Sequence, residues 1–330
     1  MKRTFRIFGV SVFAAVALLG AAWAATAFSV QLDGIARLAG WGALLGALVA
    51  AGLARIRSRR AGWAVLALAA LGVGGWYQTI TPRQDRDWDF DVRHGVRAEV
   101  AGDTVTLRDL RDFDWVSASE AKERWTTASY DLDRLQSVDM LTSVWDSPDI
   151  AHLLVSFGFE DGEHVVFSVE IRREAGETFN EIGGFFRQFE LVLIAATEED
   201  IVKLRTNHRG EQVSLYPIEL DAAQRRTLFM SYVALAQRLE REPAFYNTLT
   251  ANCTTVVYQL AQAITPDLPM DWRLVMSGHL PDYIESLGVL GGEGPMEARR
   301  RAALITPRAR VVQAGVDFSA AIRLVGPGGN

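Results

Sequence analysis

The 330-residue chain has a single cysteine, Cys253, in the stretch FYNTLTANCTTVVYQLAQAI, residues 245–264. From Asn252 onward the pattern is helical: Cys253, Val257, Leu260 and Ile264 fall on one stripe. Thr250 and Asn252 are the N-cap candidates. The thiol then sits in the first helical turn, where the positive end of the backbone dipole favours thiolate. A thiolate nucleophile needs a base, ordinarily an imidazole; the alternative is a small residue filling a small gap in a core. Of the five histidines, His94, His152, His164, His208 and His279, only His152 opens an alternating strand, AHLLVSFGF. Leu153, Val155, Phe157 and Phe159 share one face of it, and His152, Leu154, Ser156 and Gly158 the other. The Phe-rich face is expected to point into a core, and the small, polar face to meet the start of the cysteine helix. The turn Glu160-Asp161-Gly162 suits a three-residue hairpin loop with Gly162 left-handed. That register sets His152 opposite Glu170 and completes a Cys/His/acid set. A two-residue Asp-Gly loop would bring Ile171 there instead, and Glu170 would be a solvated strand-end charge near Arg172.

These residues need a sheet and a helix to hold them, and the pattern supplies both. Residues 99–107 read as a hairpin turning at Gly102-Asp103, Phe113-Asp114-Trp115 as an edge strand, and 151–159, 165–171, 190–196 and 213–218 as strands. Thr197 caps a short helix with Glu198, Glu199 and Asp200 in its first turn. Asp221 caps a long amphipathic helix over 222–241, broken by Pro243. Gly183-Gly184 reads as a strand kink. Residues 296–330, basic and then ending in Gly and Pro, read as a surface tail on the domain. Strands come first and helices later, so the class is α+β.

Ahead of this domain the composition changes. Three uncharged runs, about 7–30, 36–54 and 61–80, approach the roughly 20 apolar residues that a spanning helix needs. The expectation is a membrane anchor of three transmembrane helices over 1–82. Residues 1–60 carry eight basic residues against Asp33 alone, which keeps the N-terminus and the cluster Arg55-Ile56-Arg57-Ser58-Arg59-Arg60 on the inner side. Ala22-Trp23-Ala24 also resembles a signal-peptide cleavage site, and with or without cleavage the chain after 82 lies outside. The remainder holds 26 basic against 39 acidic residues, which argues against general nucleic-acid binding. One cysteine cannot form an internal disulfide. HExxH, CxxC, Walker-type and GxSxG motifs do not occur, so neither a metal nor an organic cofactor is expected.

The runs Arg86-Asp87-Trp88, Arg111-Asp112-Phe113-Asp114-Trp115, Tyr130-Asp131-Leu132, AHLLVSFGFEDG, FSVEIRRE, GGFFRQFEL, EEDIVKLRTNHRG and FYNTLTANCTT together resemble the Lnb N-terminal periplasmic domain family over roughly residues 85–325. The resemblance implies a circularly permuted papain-like fold, an antiparallel sheet packed by the cysteine-bearing helix, with the histidine strand ahead of that helix. It implies a multi-pass protein of the bacterial inner membrane whose catalytic domain, 83–295, lies in the periplasm. The implied activity is that of a lipoprotein N-acyltransferase, moving an acyl chain from a membrane phospholipid to a lipoprotein N-terminal amine through a thioester on Cys253. Trp115 stands where relatives are expected to carry Tyr, and the three-helix anchor with a short C-terminal tail marks a possible subfamily; both bear on the substrate.

In that reading His152 is the base, Glu170 orients it, and the Cys253 N–H with a neighbouring amide or the Asn252 side chain forms the oxyanion site. Arg205 and Arg209 are placed to hold a lipid phosphate, or are a solvated helix end. Tyr246 shapes the acyl pocket, or packs its own loop. Two other classes fit the same residues. One is a cysteine hydrolase of envelope amide, peptide or thioester bonds, and the other a periplasmic module without enzymatic activity.

Overall fold

The computed structural model describes residues 2–324 and divides into two compact units. The first holds the residues up to Arg83 together with Asn180–Phe189. Its helices are α1 (Lys2–Gln31), α2 (Gly34–Arg57), α3 (Arg59–Gln78) and α4 (Glu181–Phe185). Phe13 meets Trp63 at 5.1 Å and Phe28 meets Trp76 at 4.8 Å, so α3 runs beside α1 in the same direction. Gly62 lets α3 start against α2: a Cβ there would lie 2.7 Å from that of Arg55. Three spanning helices were expected, but among the described residues two are long and apolar enough to cross a membrane, Ile7–Gln31 and Gly34–Arg57. The third is helical over 20 residues, but Gly72, Gly74, Gly75, Trp76, Tyr77 and Gln78 dilute the apolar character of its last two turns. Gly183 and Gly184, read as a strand kink, lie in α4, which Asn180 caps through its Oδ1.

The second unit is a mixed α+β domain. Its strands are β1 (Arg97–Ala101), β2 (Thr104–Arg111), β3 (Asp114–Trp115), β4 (Ala121–Lys122), β5 (Trp125–Asp131), β6 (Leu135–Val144), β7 (His152–Phe159), β8 (His164–Arg172), β9 (Glu190–Ala196) and β10 (Gln212–Pro217). Eight of them form one sheet, in the order β1-β2-β9-β8-β7-β6-β10 with β5 also on β2, and its pairing is antiparallel except between β2 and β9. The helices are α5 (Glu198–Lys203), α6 (Ala222–Arg241), α7 (Cys253–Ala261), α8 (Leu280–Ser286), α9 (Met296–Ala303), α10 (Thr306–Ala309) and α11 (Phe318–Arg323).

Alternation along the strands gives the sheet two buried faces. On one, Val155, Phe157, Phe159, Phe167 and Leu193 pack under Phe229, Tyr232 and Val233 of α6 and Val256 of α7. On the other, Leu141, Leu154, Val166 and Ile194 pack under Ile201 of α5 and Ile305, Ala309, Phe318 and Ile322 near the C-terminus. Two expectations are corrected here. The cysteine helix packs on the Phe-rich face, because its stripe of Val257, Leu260 and Ile264 is itself apolar; the face of Leu154 and Ser156 is closed by α5 and the C-terminal helices. The C-terminal segment, read as a surface tail, accordingly sends Ala303, Ile305, Thr306, Ala309, Phe318 and Ile322 into the core, whereas 325–330 lie outside the described residues.

Arg323 shows what that C-terminal segment does. Its guanidinium bonds Glu198 and Asp139 at 2.7 Å each, while Ser156 Oγ donates to Glu198 Oε1 at 2.6 Å. Both carboxylates are buried, and removing one partner of a buried ion pair strands the other without water. Arg323→Ala is therefore expected to destabilise the domain by about 3 kcal/mol, read as a lowered melting temperature by tryptophan fluorescence, with Arg308→Ala as the comparison.

Candidate functional site

Cys253 opens α7, and Asn252 is its N-cap: Asn252 Oδ1 accepts from the N–H groups of Thr254 and Thr255, and Thr255 Oγ1 accepts from the Asn252 N–H. This capping box holds the first turn rigid and leaves the thiol at the positive end of the helix. His152 opens β7. The β7–β8 hairpin has the three-residue loop, with Gly162 at φ 86° and Leu154 opposite Ser168. That register carries His152 to Glu170, with Nε2 to Oε1 at 3.1 Å.

Two hydrogen bonds settle which imidazole nitrogen faces the sulfur. Ser168 Oγ donates to Glu170 Oε1 at 2.7 Å, so the hydroxyl proton is committed. His152 Nε2, 2.8 Å from the same Oγ, must then be the donor. Nδ1 is left to exchange a proton with Cys253, whose thiol is coupled electrostatically to the imidazole. The thiol lies 3.9 Å from Thr254 Oγ1. Three of the other four histidines are engaged elsewhere: His279 bonds Asp149, His164 bonds Gly162 O within its own hairpin, and His94 meets Trp125 edge-on.

Behind Glu170 stands Arg205. Residues Leu204–His208 form a π-helical turn, with the Arg209 N–H donating to Leu204 O. The turn buries Arg205, whose Nη2 donates to Glu170 Oε1 at 2.8 Å and whose Nη1 lies 3.6 Å from Glu211. Ser143 Oγ donates to Glu211 in turn. Arg209 is partly exposed, within 4.0 Å of Asp91 and Glu211. Arg205 is therefore neither a solvated helix end nor open to a lipid phosphate: its charge is committed to the carboxylate that faces His152. Asn252 is likewise occupied, its oxygen by the cap and its Nδ2 by Thr248 O at 2.7 Å. Tyr246 lies in the loop before α7, edge-on to Phe179 and packed against the α6-side core.

The electrostatics follow from this chain of groups. Burial opposes the charges on His152, Cys253 and Glu170. The Glu170 carboxylate and the sulfur overcome that for His152, against Arg205, and lift its pKa to about 9. For Cys253, burial pushes the thiol up, but the imidazole and the hydrogen bonds outweigh it and hold the thiol below its ordinary value. For Glu170, burial again works upward, and His152 and Arg205 hold the carboxyl well below the usual range. These shifts favour the thiolate–imidazolium form of the pair, with Glu170 and Arg205 behind it.

An apolar cavity of about 220 Å³ lies against α7; neither Cys253 nor His152 lines it. Its walls include Leu153 and Thr254, the chain neighbours of His152 and Cys253, with Val257, Tyr258, Leu228 and Ile284 further in. Sequence reasoning missed Ser168 and Glu211. Ser168 was within reach, since it shares the strand face of Glu170 two positions on; Glu211 carries no local signal.

Residues 121–278 match the family model described as the Lnb N-terminal periplasmic domain. The match holds β7, β8 and α7, and hence Cys253, His152 and Glu170, and is narrower than the 85–325 suggested by the motifs. Neither a curated protein nor a solved structure matches the chain.

Alkylation of Cys253 by iodoacetamide is expected to begin at lower pH than that of an ordinary thiol, because its pKa is depressed, and to change again as His152 loses its proton near pH 9. His152→Ala removes the largest influence that lowers the thiol pKa against burial and moves the onset upward. Arg205→Gln removes a charge that keeps Glu170 ionised, so the acid limb of the rate profile should shift to higher pH. Both shifts are read from the pH dependence of the alkylation rate.

Proposed function

With residues 121–278 forming an Lnb N-terminal periplasmic domain in a chain led by two helices apolar enough to cross a membrane, we propose that this protein is a membrane-anchored, cysteine-dependent acyltransferase of the periplasm. The observation that carries the reading is the pairing of the Cys253–His152–Glu170 arrangement with the apolar cavity beside it. A peptide or cell-wall amide would call for a polar groove, whereas walls of Leu, Val, Ile and Tyr suit a hydrocarbon chain.

In this proposal the Cys253 thiolate attacks the ester carbonyl of a membrane phospholipid. The C–O bond breaks, the lysophospholipid oxygen leaves with the proton held by His152, and the acyl group remains as a thioester on Sγ. A lipoprotein N-terminal amine then attacks that carbonyl. His152, neutral after the first step, takes the amine proton, the C–S bond breaks, and an amide forms with the thiolate restored. The Cys253 N–H, which has no acceptor within its own helix at this position, is the donor for the oxyanion. Glu170 keeps the imidazole oriented, and Arg205 keeps Glu170 ionised. The matching fold reading is the permuted papain-like one, in which the histidine strand precedes the nucleophile helix.

Purified protein incubated with phospholipid is expected to carry a hydroxylamine-labile, acyl-sized mass on Cys253. Cys253→Ala abolishes it. Val257→Trp, which fills the cavity, should reduce acyl loading at least tenfold while leaving iodoacetamide alkylation within about twofold. Equal loading by Val257→Trp would detach the cavity from the reaction. Free fatty acid formed without lipoprotein N-acylation would make the protein a hydrolase, and complementation of a lipoprotein-acylation defect, read by lipoprotein N-terminal mass, separates the two.

A further inference from the structure

The segment Asn180–Phe189 interrupts the domain sequence between β8 and β9, yet it clusters with the anchor helices. The contacts that hold it there are specific. Gln31, at the end of α1, donates from Nε2 to Phe186 O at 2.7 Å. The Phe186 ring lies 5.7 Å from Trp23, which in turn meets Tyr77 at 4.9 Å. Arg187 donates to Tyr77 O and Ile80 O, just past the end of α3, and its guanidinium lies 4.5 Å over the Tyr77 ring. Arg187 does this from a left-handed backbone conformation, φ 60°, which a residue with a Cβ adopts at a cost. Gly183 gives way to Gln188: a Cβ on it would lie 2.0 Å from Gln188 Oε1. The segment is thus pinned where Trp23, Trp76, Tyr77 and an arginine converge at the ends of α1 and α3.

Seen from this fixed backbone, α4 turns its apolar side chains outward. Ile182 is 56% exposed and Phe185 44% exposed. Their neighbour Phe186 packs on Trp23 of α1, itself partly exposed, so they stand beside the aromatic girdle of the anchor, the depth at which amphipathic aromatics and a snorkelling arginine meet lipid headgroups.

We propose that Asn180–Phe189 is an interfacial membrane segment, with Ile182 and Phe185 inserted at the headgroup–acyl boundary of the phospholipid leaflet and Arg187 at the headgroup level. The occupant of this face is the bilayer itself, because the segment packs against a helix apolar enough to span it. The inference rests on the anchoring of α1, not on the acyl-transfer reading.

The test uses the full chain in phosphatidylethanolamine/phosphatidylglycerol nanodiscs. In a Cys253→Ala background, single cysteines from Ile182→Cys and Phe185→Cys carry an environment-sensitive fluorophore, with Asp161→Cys at the β7–β8 hairpin as reference. Lipid spin-labelled near the headgroup is expected to quench positions 182 and 185 several-fold more than position 161, and aqueous iodide to do the reverse. Equal quenching at all three positions overturns the proposal. An unsubstituted chain exposed to a phospholipid with a photoreactive group high on its acyl chain supplies the second measurement. Adducts are expected in 180–189 as well as in α1 and α2; adducts confined to the long helices would overturn it.

Discussion

The ionic chain from Cys253 through His152 and Glu170 to Arg205 is the constraint that the rest of the domain serves. For Cys253, His152 and Glu170 the cost of burial is the first effect to be overcome. Two opposite charges in contact offset that cost only when their geometry is held and their remaining hydrogen-bonding groups are satisfied. Here the holding is done by rigid elements. Strand pairing between β7 and β8 sets the imidazole beside the carboxylate, Ser168 fixes the tautomer, the π-helical turn drives Arg205 in from behind, and the capped start of α7 fixes the sulfur.

The two faces of the sheet divide the work. The face under α6 and α7 is almost wholly apolar, dominated by aromatic contacts such as Phe157 on Phe229 and Phe167 on Tyr232. It sets the depth of the cysteine helix and leaves the cavity at its edge. The opposite face mixes aliphatic packing with buried charge. Glu198 and Asp139 share Arg323, and Asp200 takes both Arg111 and the Trp115 indole N–H. Those pairs tie α5, the C-terminal helix and the Phe113-Asp114-Trp115 strand to the back of the sheet that carries the site.

Much of this organisation was legible in the chain, and for local reasons. The Gly162 turn is set by a φ that only glycine adopts readily, so the hairpin register, and with it the meeting of His152 and Glu170, could be read from neighbours in sequence. The same holds for the caps at Thr197, Asp221 and Asn252, whose side chains bond backbone groups two or three residues on. What escaped was non-local. Strand β6 breaks the alternation rule: it is buried on both faces over most of its length and holds Asp139 inward, a choice that makes sense only with Arg323 across from it.

Sequence alone thus determined the class of the domain, the apolar character of the N-terminus, the helix that carries the thiol and the strand that carries its imidazole, because propensity, capping and side-chain period act within a few residues. Tertiary structure decided which face of the sheet receives α7, that Arg205 is spent on Glu170, that the C-terminal segment sends side chains into the core, and that Asn180–Phe189 joins the anchor helices. Each of those depends on contacts between distant segments. Their sign turns on the balance between desolvation and pairing, and that balance exists only once the partners have been brought together.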